Sequence, residues 1–218
     1  MHLEILVEDL SGKKALDIIV PKIIGNEHTF RVHSYKGIGR VPKDLRGKSD
    51  PEKRILLDRL PRLLLGYGKT FANYPEDQKA VVIVVCDLDD KCLHAFRNEL
   101  LELLNSCNPK PETLFCFAIE EGEAWFLGDL DAVREAYPKA KNSILSLYEN
   151  DSICGTWEKL ADSIFPGGAK KLEKQGSQTV GEMKSEWAKQ IAPLMDVAKN
   201  KSPSFRYFAR KIEELMER

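Results

Sequence analysis

Three short runs of apolar residues predict the strands of this chain, and each run ends at acidic residues. Residues 3–7, 81–86 and 114–119 are rich in β-branched and aromatic side chains. Apolar runs of this length, without polar alternation, are typical of strands buried on both faces, as in a parallel sheet. We therefore expect an α/β fold with a central, mostly parallel sheet flanked by helices.

Helical spacing separates these runs. Apolar positions recur every three or four residues after the first run, up to Gly25, a residue type that commonly ends helices. A short strand is expected over residues 29–33, and Asp50-Pro51 is a typical helix start. Residues 91–105 show a helical pattern between two strands, which predicts a right-handed β-α-β crossover.

No further strand pattern follows Asp129. Helical patterns continue to the end of the sequence, over residues 131–136, 156–164, 180–195 and 204–217. We therefore expect a sheet domain over residues 1–130 and a helical extension over residues 131–218 that packs on it.

Charge is segregated along the chain. The 218 residues carry a formal net charge of −1, so no global excess of basic residues indicates a nucleic-acid partner. Residues 36–54 nevertheless contain seven basic and three acidic residues, whereas residues 120–131 contain five acidic residues and no basic one. A chain with this distribution can bind a polyanion at one face and a cation at another.

The sequence also limits the compartment. No stretch approaches the roughly 20 apolar residues that cross a membrane, and residues 1–4 lack the start of a secretory signal. The five cysteines form no CxxC pair and no zinc spacing, which fits a reducing environment. We therefore expect a cytoplasmic protein without a membrane partner.

Acidic residues follow all three predicted strands. They are Glu8, Asp87, Asp89, Glu120 and Glu123. Because ligands bind at the carboxyl ends of strands in open α/β sheets, we expect these acids to converge on one crevice. Carboxylates without matching cations need protons or a divalent metal, and Mg²⁺ prefers oxygen ligands and serves phosphate chemistry. The pattern therefore indicates a magnesium site.

These acids also have structural interpretations. Alternate residues of an extended segment share a side, so Asp87 and Asp89 can face one metal ion. Alternatively, Asp87, Asp89 or Asp90 caps the helix that follows. Glu8 can be an exposed turn acid, and the acids of residues 120–123 can lie in the first turn of a helix, where they complement its dipole.

Two further segments are candidates for phosphate binding. In the first, Lys36, Arg40 and Lys43 accompany two glycines, whose backbone amides can also hold phosphate. The alternative is a solvated loop.

The second segment is Lys201-Ser202-Pro203-Ser204, which offers a cation and two hydroxyls at a predicted helix start. Its cation is Lys201, and its hydroxyls belong to Ser202 and Ser204. The alternative is an ordinary helix start, with Ser202 as N-cap and Pro203 as the first helical residue.

Together these residues resemble a known module. A glutamate after the first strand, an Asp-x-Asp after a later strand and a glutamate after the next are similar to the pattern of Toprim domains. These are the metal-binding modules of topoisomerases, bacterial primases and OLD-type nucleases. More closely, the chain resembles stand-alone bacterial Toprim-like proteins of unknown function. The matching stretches are residues 5–8, 35–40, 84–89, 118–129 and 201–205.

The resemblance implies a role for each acid. Glu8 is expected to be a general base or a metal ligand, and Asp87 and Asp89 are expected to be metal ligands. Glu123 is expected to supply the last acid, with Glu120 as the competing candidate.

The implied activity is that of a Mg²⁺-dependent nuclease, with Mn²⁺ as an alternative ion, acting on DNA or RNA. The resemblance also implies bacterial defence and an ATPase partner encoded separately, because the chain lacks a GxxxxGK[ST] motif. One departure concerns residues 9–12, where such proteins commonly carry Gly and then Thr-Glu or Ser-Glu. The alternatives are a non-catalytic module that binds nucleotide or nucleic acid or docks to an ATPase, and a phosphoryl or nucleotidyl transferase.

Overall fold

A four-stranded parallel sheet forms the centre of the molecule. The computed structural model describes residues 1–42, 52–75 and 78–218. The strand order is β2-β1-β3-β4, and all three strand pairs are parallel. The strands are β1 His2–Val7, β2 Thr29–Ser34, β3 Ala80–Asp87 and β4 Thr113–Ala118. The predicted α/β fold with a parallel sheet is therefore confirmed.

Helices connect the strands and make up the C-terminal part of the chain. They are α1 Leu10–Ile24, α2 Leu56–Phe71, α3 Leu93–Asn105, α4 Glu123–Leu127, α5 Leu130–Ala136, α6 Asn142–Leu145, α7 Thr156–Ile164, α8 Gly168–Glu173, α9 Ser177–Ile191 and α10 Pro203–Met216. The predicted start of α2 is wrong. Asp50 and Pro51 lie outside the described residues, and residues 52–55 are not helical, so α2 begins only at Leu56.

The two faces of the sheet carry separate apolar clusters, because successive strand residues point to opposite sides. Leu3 and Ile5 of β1 belong to the cluster that includes α1, α9 and α10. Leu6 belongs to the other cluster, formed with α2 and α3. Burial of each such side chain contributes roughly 1.5–3 kcal/mol to the driving force for folding. The sheet is thus covered on both sides, as the uninterrupted apolar runs predicted.

The C-terminal helices share the first of these two cores. Trp187 of α9 and Phe205 and Phe208 of α10 are completely buried in the cluster that also holds the central strands. α9 packs on α1, and α10 packs on β4. The predicted helical extension is therefore present, while the boundary between residues 1–130 and 131–218 stays a prediction. None of the helices in the described residues is long and apolar enough to cross a membrane.

Candidate functional site

Glu8 and Asp87 meet at the carboxyl ends of the two central strands. Asp87 is the last residue of β3, and Glu8 directly follows β1. Val7 pairs with Val85 in the register of these strands, so the two acids leave the sheet side by side. Both line one narrow cavity under the first turn of α1. The predicted convergence of these two acids at one sheet edge is confirmed.

The Glu8 carboxyl is buried and incompletely bonded. Its Oε2 atom is shielded from solvent and has no hydrogen-bond partner among the residues that the structure describes. Burial, together with the charges of Asp9 and Asp89, raises the pKa of Glu8 to about 7, and hydrogen bonds with the backbone and side chain of Asp87 oppose this rise. Glu8 is thus poised to carry a proton or a cation near neutral pH.

Asp87 is perturbed in the same direction. Burial raises the pKa of Asp87 well above its usual range, the charges of Glu8 and Glu123 raise it further, and Lys184 opposes the rise. Two buried carboxyls side by side cannot both be ionised unless a proton or a cation compensates one of the charges. Glu8 and Asp87 therefore form a pair that cannot hold two uncompensated charges.

Glu123 completes the cavity from α4. It is the first residue of this helix, its side chain is 5% exposed, and it lines the same cavity as Glu8 and Asp87. Its Oε2 atom lies 3.3 Å from the Nζ atom of Lys184. Lys184 Nζ also lies 3.4 Å from Oε1 of Glu121, whose pKa burial raises to about 7 although the lysine lowers it.

Lys184 corrects a premise of the sequence analysis, which assumed that the acids have no matching cation. It is a residue of α9, and its side chain is only 17% exposed. Burial lowers the pKa of Lys184, but the charges of Glu123, Glu121 and Asp87 outweigh burial and raise the pKa above its ordinary value. The acidic cavity therefore contains a built-in positive charge.

A sequence signal for Lys184 exists in the pattern of α9. Trp187, Ala188 and Ile191 follow Lys184 at the spacings i+3, i+4 and i+7, and all three are fully buried. Lys184 thus lies on the inward stripe of an amphipathic helix, where a lysine needs an acidic partner. The sequence does not identify that partner, because Glu121 and Glu123 are about 60 residues away along the chain.

Asp89 does not extend the β3 strand as the Asp-x-Asp interpretation requires. Its backbone is left-handed, with φ 50°, and its N–H donates to the Glu120 carbonyl at 2.9 Å. Its side chain is 47% exposed, forms a 2.6 Å ion pair with Lys91, and lines a different cavity from Asp87. The premise that residues 87–89 are extended is therefore wrong, because the backbone turns at Asp89. The charge of Asp89 still raises the pKa of Glu8, and a metal role for Asp89 stays a prediction.

Glu120 binds the N-terminus of α7. Its carboxylate accepts hydrogen bonds from the backbone N–H groups of Cys154, Gly155 and Thr156, and from the Thr156 hydroxyl. Burial raises the pKa of Glu120, but these hydrogen bonds lower it below its usual value. Of the two competing glutamates, Glu123 faces Glu8 and Asp87, and Glu120 caps a helix. A metal role for Glu120 stays a prediction that this arrangement does not favour.

The segment with Lys36, Arg40 and Lys43, called the basic loop below, is described as far as residue 42, and this part lies next to Glu8. The N–H of Gly37 donates to the Glu8 carbonyl oxygen at 2.8 Å, and Lys36 and Arg40 are both exposed. Gly39 has a φ of 74°, and a Cβ atom there would lie 2.1 Å from Cγ2 of Ile55, so this tight turn requires glycine. Lys43, the third predicted phosphate ligand, lies outside the described residues.

The second phosphate candidate is occupied by a carboxylate of the protein itself. Asp151 accepts hydrogen bonds from the Ser202 hydroxyl and the Ser204 N–H, both at 2.6 Å. Ser202 is the fully buried N-cap of α10, and Pro203 is the first helical residue. The ordinary helix start is therefore confirmed. Phosphate binding by Lys201, Ser202 and Ser204 stays a prediction, and for the two serines it would require displacement of Asp151.

Two of the stretches that carry the resemblance, residues 118–129 and 201–205, pack against each other. Trp125 Nε1 donates to the Ser204 hydroxyl at 3.0 Å, and Asn200 Nδ2 donates to the Trp125 carbonyl at 2.8 Å. A Cβ atom on Gly128 would lie 2.2 Å from Oδ1 of Asn200, so only glycine allows this approach. This contact fixes α4, and therefore Glu123, against the start of α10.

The donor set fits a magnesium ion in type. Glu8, Asp87 and Glu123 offer only carboxylate oxygens, which are the ligands that Mg²⁺ prefers. One of these oxygens is buried without a partner in residues 1–42, 52–75 and 78–218. Within the described ranges, however, no three His, Cys, Asp or Glu side chains are already arranged to hold a metal ion. The ammonium of Lys184 lies at Glu123 in this arrangement.

One protein family matches most of the chain. The model of a family described as Domain of unknown function (DUF4276) matches residues 7–213. No curated protein and no solved structure matches the chain. The chain therefore belongs to the DUF4276 family, and the resemblance to Toprim domains stays a prediction.

Proposed function

We propose that this member of the DUF4276 family is a Mg²⁺-dependent nuclease, with Mn²⁺ as an alternative ion, that hydrolyses nucleic-acid phosphodiesters at Glu8, Asp87 and Glu123. One observation carries the proposal. Within the described part of the chain, Glu8 Oε2 is buried without a hydrogen-bond partner, beside a second buried carboxyl, at the carboxyl ends of two central parallel strands. A buried acceptor in that condition is costly unless a ligand satisfies it.

The three acids have distinct expected roles. Asp87 and Glu123 would hold the metal ion, which would stabilise the charge that develops on the phosphate and lower the pKa of a bound water. Glu8 would orient or deprotonate the attacking water. Its pKa of about 7, raised by burial and the charges of Asp9 and Asp89, supports that role, because a general base is most effective when its pKa lies near the working pH.

The basic loop supports a polyanionic substrate. Lys36 and Arg40 are exposed on a segment whose Gly37 N–H bonds the Glu8 carbonyl at 2.8 Å. Lys36, Arg40 and Lys43 would therefore bind phosphates that flank the one being cleaved, on either DNA or RNA. The role in bacterial defence and the separately encoded ATPase partner are part of this proposal and rest on the resemblance alone. The cytoplasmic location is also proposed, and it rests on the cysteine pattern.

A second candidate function has its own support. Lys184 already lies 3.3 Å from Glu123 and 3.4 Å from Glu121, so part of the acidic charge is neutralised without a metal ion. A non-catalytic module that binds nucleotide or nucleic acid, or that docks to an ATPase, needs no metal ion at this position. Metal-dependent cleavage separates the two candidates.

The experiment is a cleavage screen over single- and double-stranded DNA, RNA and transfer RNA, with Mg²⁺, Mn²⁺ or EDTA. We expect cleavage by the wild-type protein with metal, and at least a hundredfold loss in Asp87→Asn, in line with the loss of a metal ligand. Asp131→Asn is the matched control, because Asp131 is 93% exposed and lies outside the cavity. No cleavage of any substrate, even with an ATPase encoded beside the gene, would favour the binding module.

A further inference from the structure

We propose that Lys184 is an internal competitor of the divalent cation, which holds Glu123 while the metal site is empty and releases it when the metal binds. This inference rests on the proposed function, because it presumes that Asp87 and Glu123 hold a metal ion beside Glu8. It adds a regulatory element from α9, a helix that follows the sheet in the chain.

The contact geometry supports competition. Lys184 Nζ lies 3.3 Å from Oε2 of Glu123, whose side chain is 5% exposed, so the ion pair is nearly closed to solvent. Lys184 and the three acids line the same cavity. A Mg²⁺ ion bound to the oxygens of Glu123 would lie close to the ammonium of Lys184, which contacts Oε2 of the same carboxylate. Like charges in this buried cavity also repel strongly.

Lys184 has a second set of partners that it can keep. Its Nζ atom lies 3.4 Å from Oε1 of Glu121 and 5.7 Å from the centre of the Trp157 ring. The backbone N–H of Trp157 donates to Oε2 of Glu121 at 3.3 Å, which holds that carboxylate beside the ring. The ammonium can therefore leave Glu123 and stay paired with Glu121 over an aromatic face, a favourable position for a cation.

Lys91, another cation near these acids, differs from Lys184 in the burial of its carboxylate partner and in the cavity that this partner lines. Lys91 pairs with Asp89, an exposed acid that lines the neighbouring cavity, and its own side chain is 33% exposed. Competition is therefore expected of Lys184 and not of Lys91.

The first test measures the affinity for Mg²⁺ and Mn²⁺ by calorimetry, without nucleic acid. Lys184→Met keeps the length of the side chain without its charge, and we expect it to bind metal roughly tenfold more tightly than wild type. Lys184→Arg keeps the charge and should bind metal no more tightly than wild type. Lys189→Met is the matched control, because Lys189 is also on α9 but is 54% exposed, and its metal affinity should be unchanged.

The second test needs no substitution. The wild-type protein is acetylated at each point of a metal titration. Mass spectrometry then measures the acetylated fraction of Lys184, with Lys189 as the internal reference. We expect acetylation of Lys184 to rise severalfold as the metal ion takes Glu123, because pairing with Glu121 alone holds the ammonium proton less tightly than pairing with both carboxylates does. This readout remains decisive if Lys184→Met does not fold.

The outcomes separate this inference from the proposed function. Equal metal affinity in wild type and Lys184→Met, or constant acetylation of Lys184 while metal saturates the site, would overturn the competition and leave the metal site intact. No metal binding by wild type or by either Lys184 variant would overturn the metal site itself, and the competition with it.

Discussion

The Nζ atom of Lys184 lies 3.3 Å from Oε2 of Glu123, although the two residues come from α9 and α4. This contact links the C-terminal helices to the acids at the end of the sheet. It also explains how Glu123 tolerates a nearly fully buried position, because a buried carboxylate requires a paired charge or hydrogen bonds.

The first prediction concerns the effect of the Glu8 carboxyl on the stability of the protein. Its pKa is raised from 4.5 to about 7, mainly by burial, so the native state binds a proton more tightly than the unfolded state does. The free energy of unfolding should therefore fall as the pH rises from about 4.5 to 7. Glu8→Gln should remove this loss and raise stability at pH 8 by about 1–3 kcal/mol.

Urea unfolding at pH 5 and pH 8 in EDTA measures this effect. Glu213→Gln, at an exposed glutamate of α10, is the control and should change stability little at either pH. Equal free energies of unfolding for Glu8→Gln and wild type at pH 8 would show that the ionised Glu8 carboxyl does not destabilise the native state.

The second prediction separates the two aspartates of the Asp-x-Asp segment. A metal ion that binds the native state should raise the melting temperature. Asp87→Asn should lose most of this rise, because Asp87 shares a cavity with Glu8 and Glu123. Asp89→Ala should keep most of it, because Asp89 is 47% exposed and pairs with Lys91. Thermal scans with and without Mg²⁺ test this, and equal losses in both variants would restore Asp89 as a ligand.

The third prediction concerns the basic loop. If Lys36 and Arg40 contact phosphates, binding of nucleic acid should weaken steeply with salt, because each contact releases counterions. The double variant Lys36→Ala/Arg40→Ala should reduce the log-log salt slope by about two. Lys170→Ala/Lys171→Ala, at two exposed residues of α8, is the control and should leave the slope as it is. Fluorescence anisotropy over a salt series gives both slopes.

The fourth prediction tests Glu120 as a helix cap. The Glu120 carboxylate accepts hydrogen bonds from three successive backbone N–H groups at the start of α7. Glu120→Gln replaces it with a neutral amide, which is a weaker acceptor. We expect a loss of about 1–2 kcal/mol in the free energy of unfolding, as for the loss of other helix caps, and unchanged affinity for Mg²⁺. A variant of normal stability that no longer binds metal would instead assign Glu120 to the metal site.

Much of the fold was predictable because its signals are local. The apolar run over residues 81–86 predicts β3, which spans Ala80–Asp87, and the pattern of residues 156–164 predicts α7, observed as Thr156–Ile164. The start of α2 was not predictable. Asp50-Pro51 is a common helix-start pair, yet the helix begins at Leu56 without a side-chain cap.

The acids of the site were predictable as a set, but their individual positions were not. The left-handed backbone of Asp89 has no sequence signature, because residues other than glycine seldom adopt it. Glu120 differs from Glu123 only through its contact with the start of α7, which depends on the tertiary fold. Lys184 could have been suspected from its place on the inward stripe of α9, but its partners depend on the packing of α9 near α4.

The most direct test of the metal site is calorimetric binding of Mg²⁺ and Mn²⁺ to wild type, Asp87→Asn and the exposed-site control Asp131→Asn. If the buried Glu8 and Asp87 carboxyls form the core of a metal site, wild type and Asp131→Asn should bind metal with equal affinity. Asp87→Asn should then bind at least tenfold more weakly, a loss of about 1.4 kcal/mol or more. Equal binding by all three proteins, or no binding by wild type, would contradict a metal centre at Glu8 and Asp87.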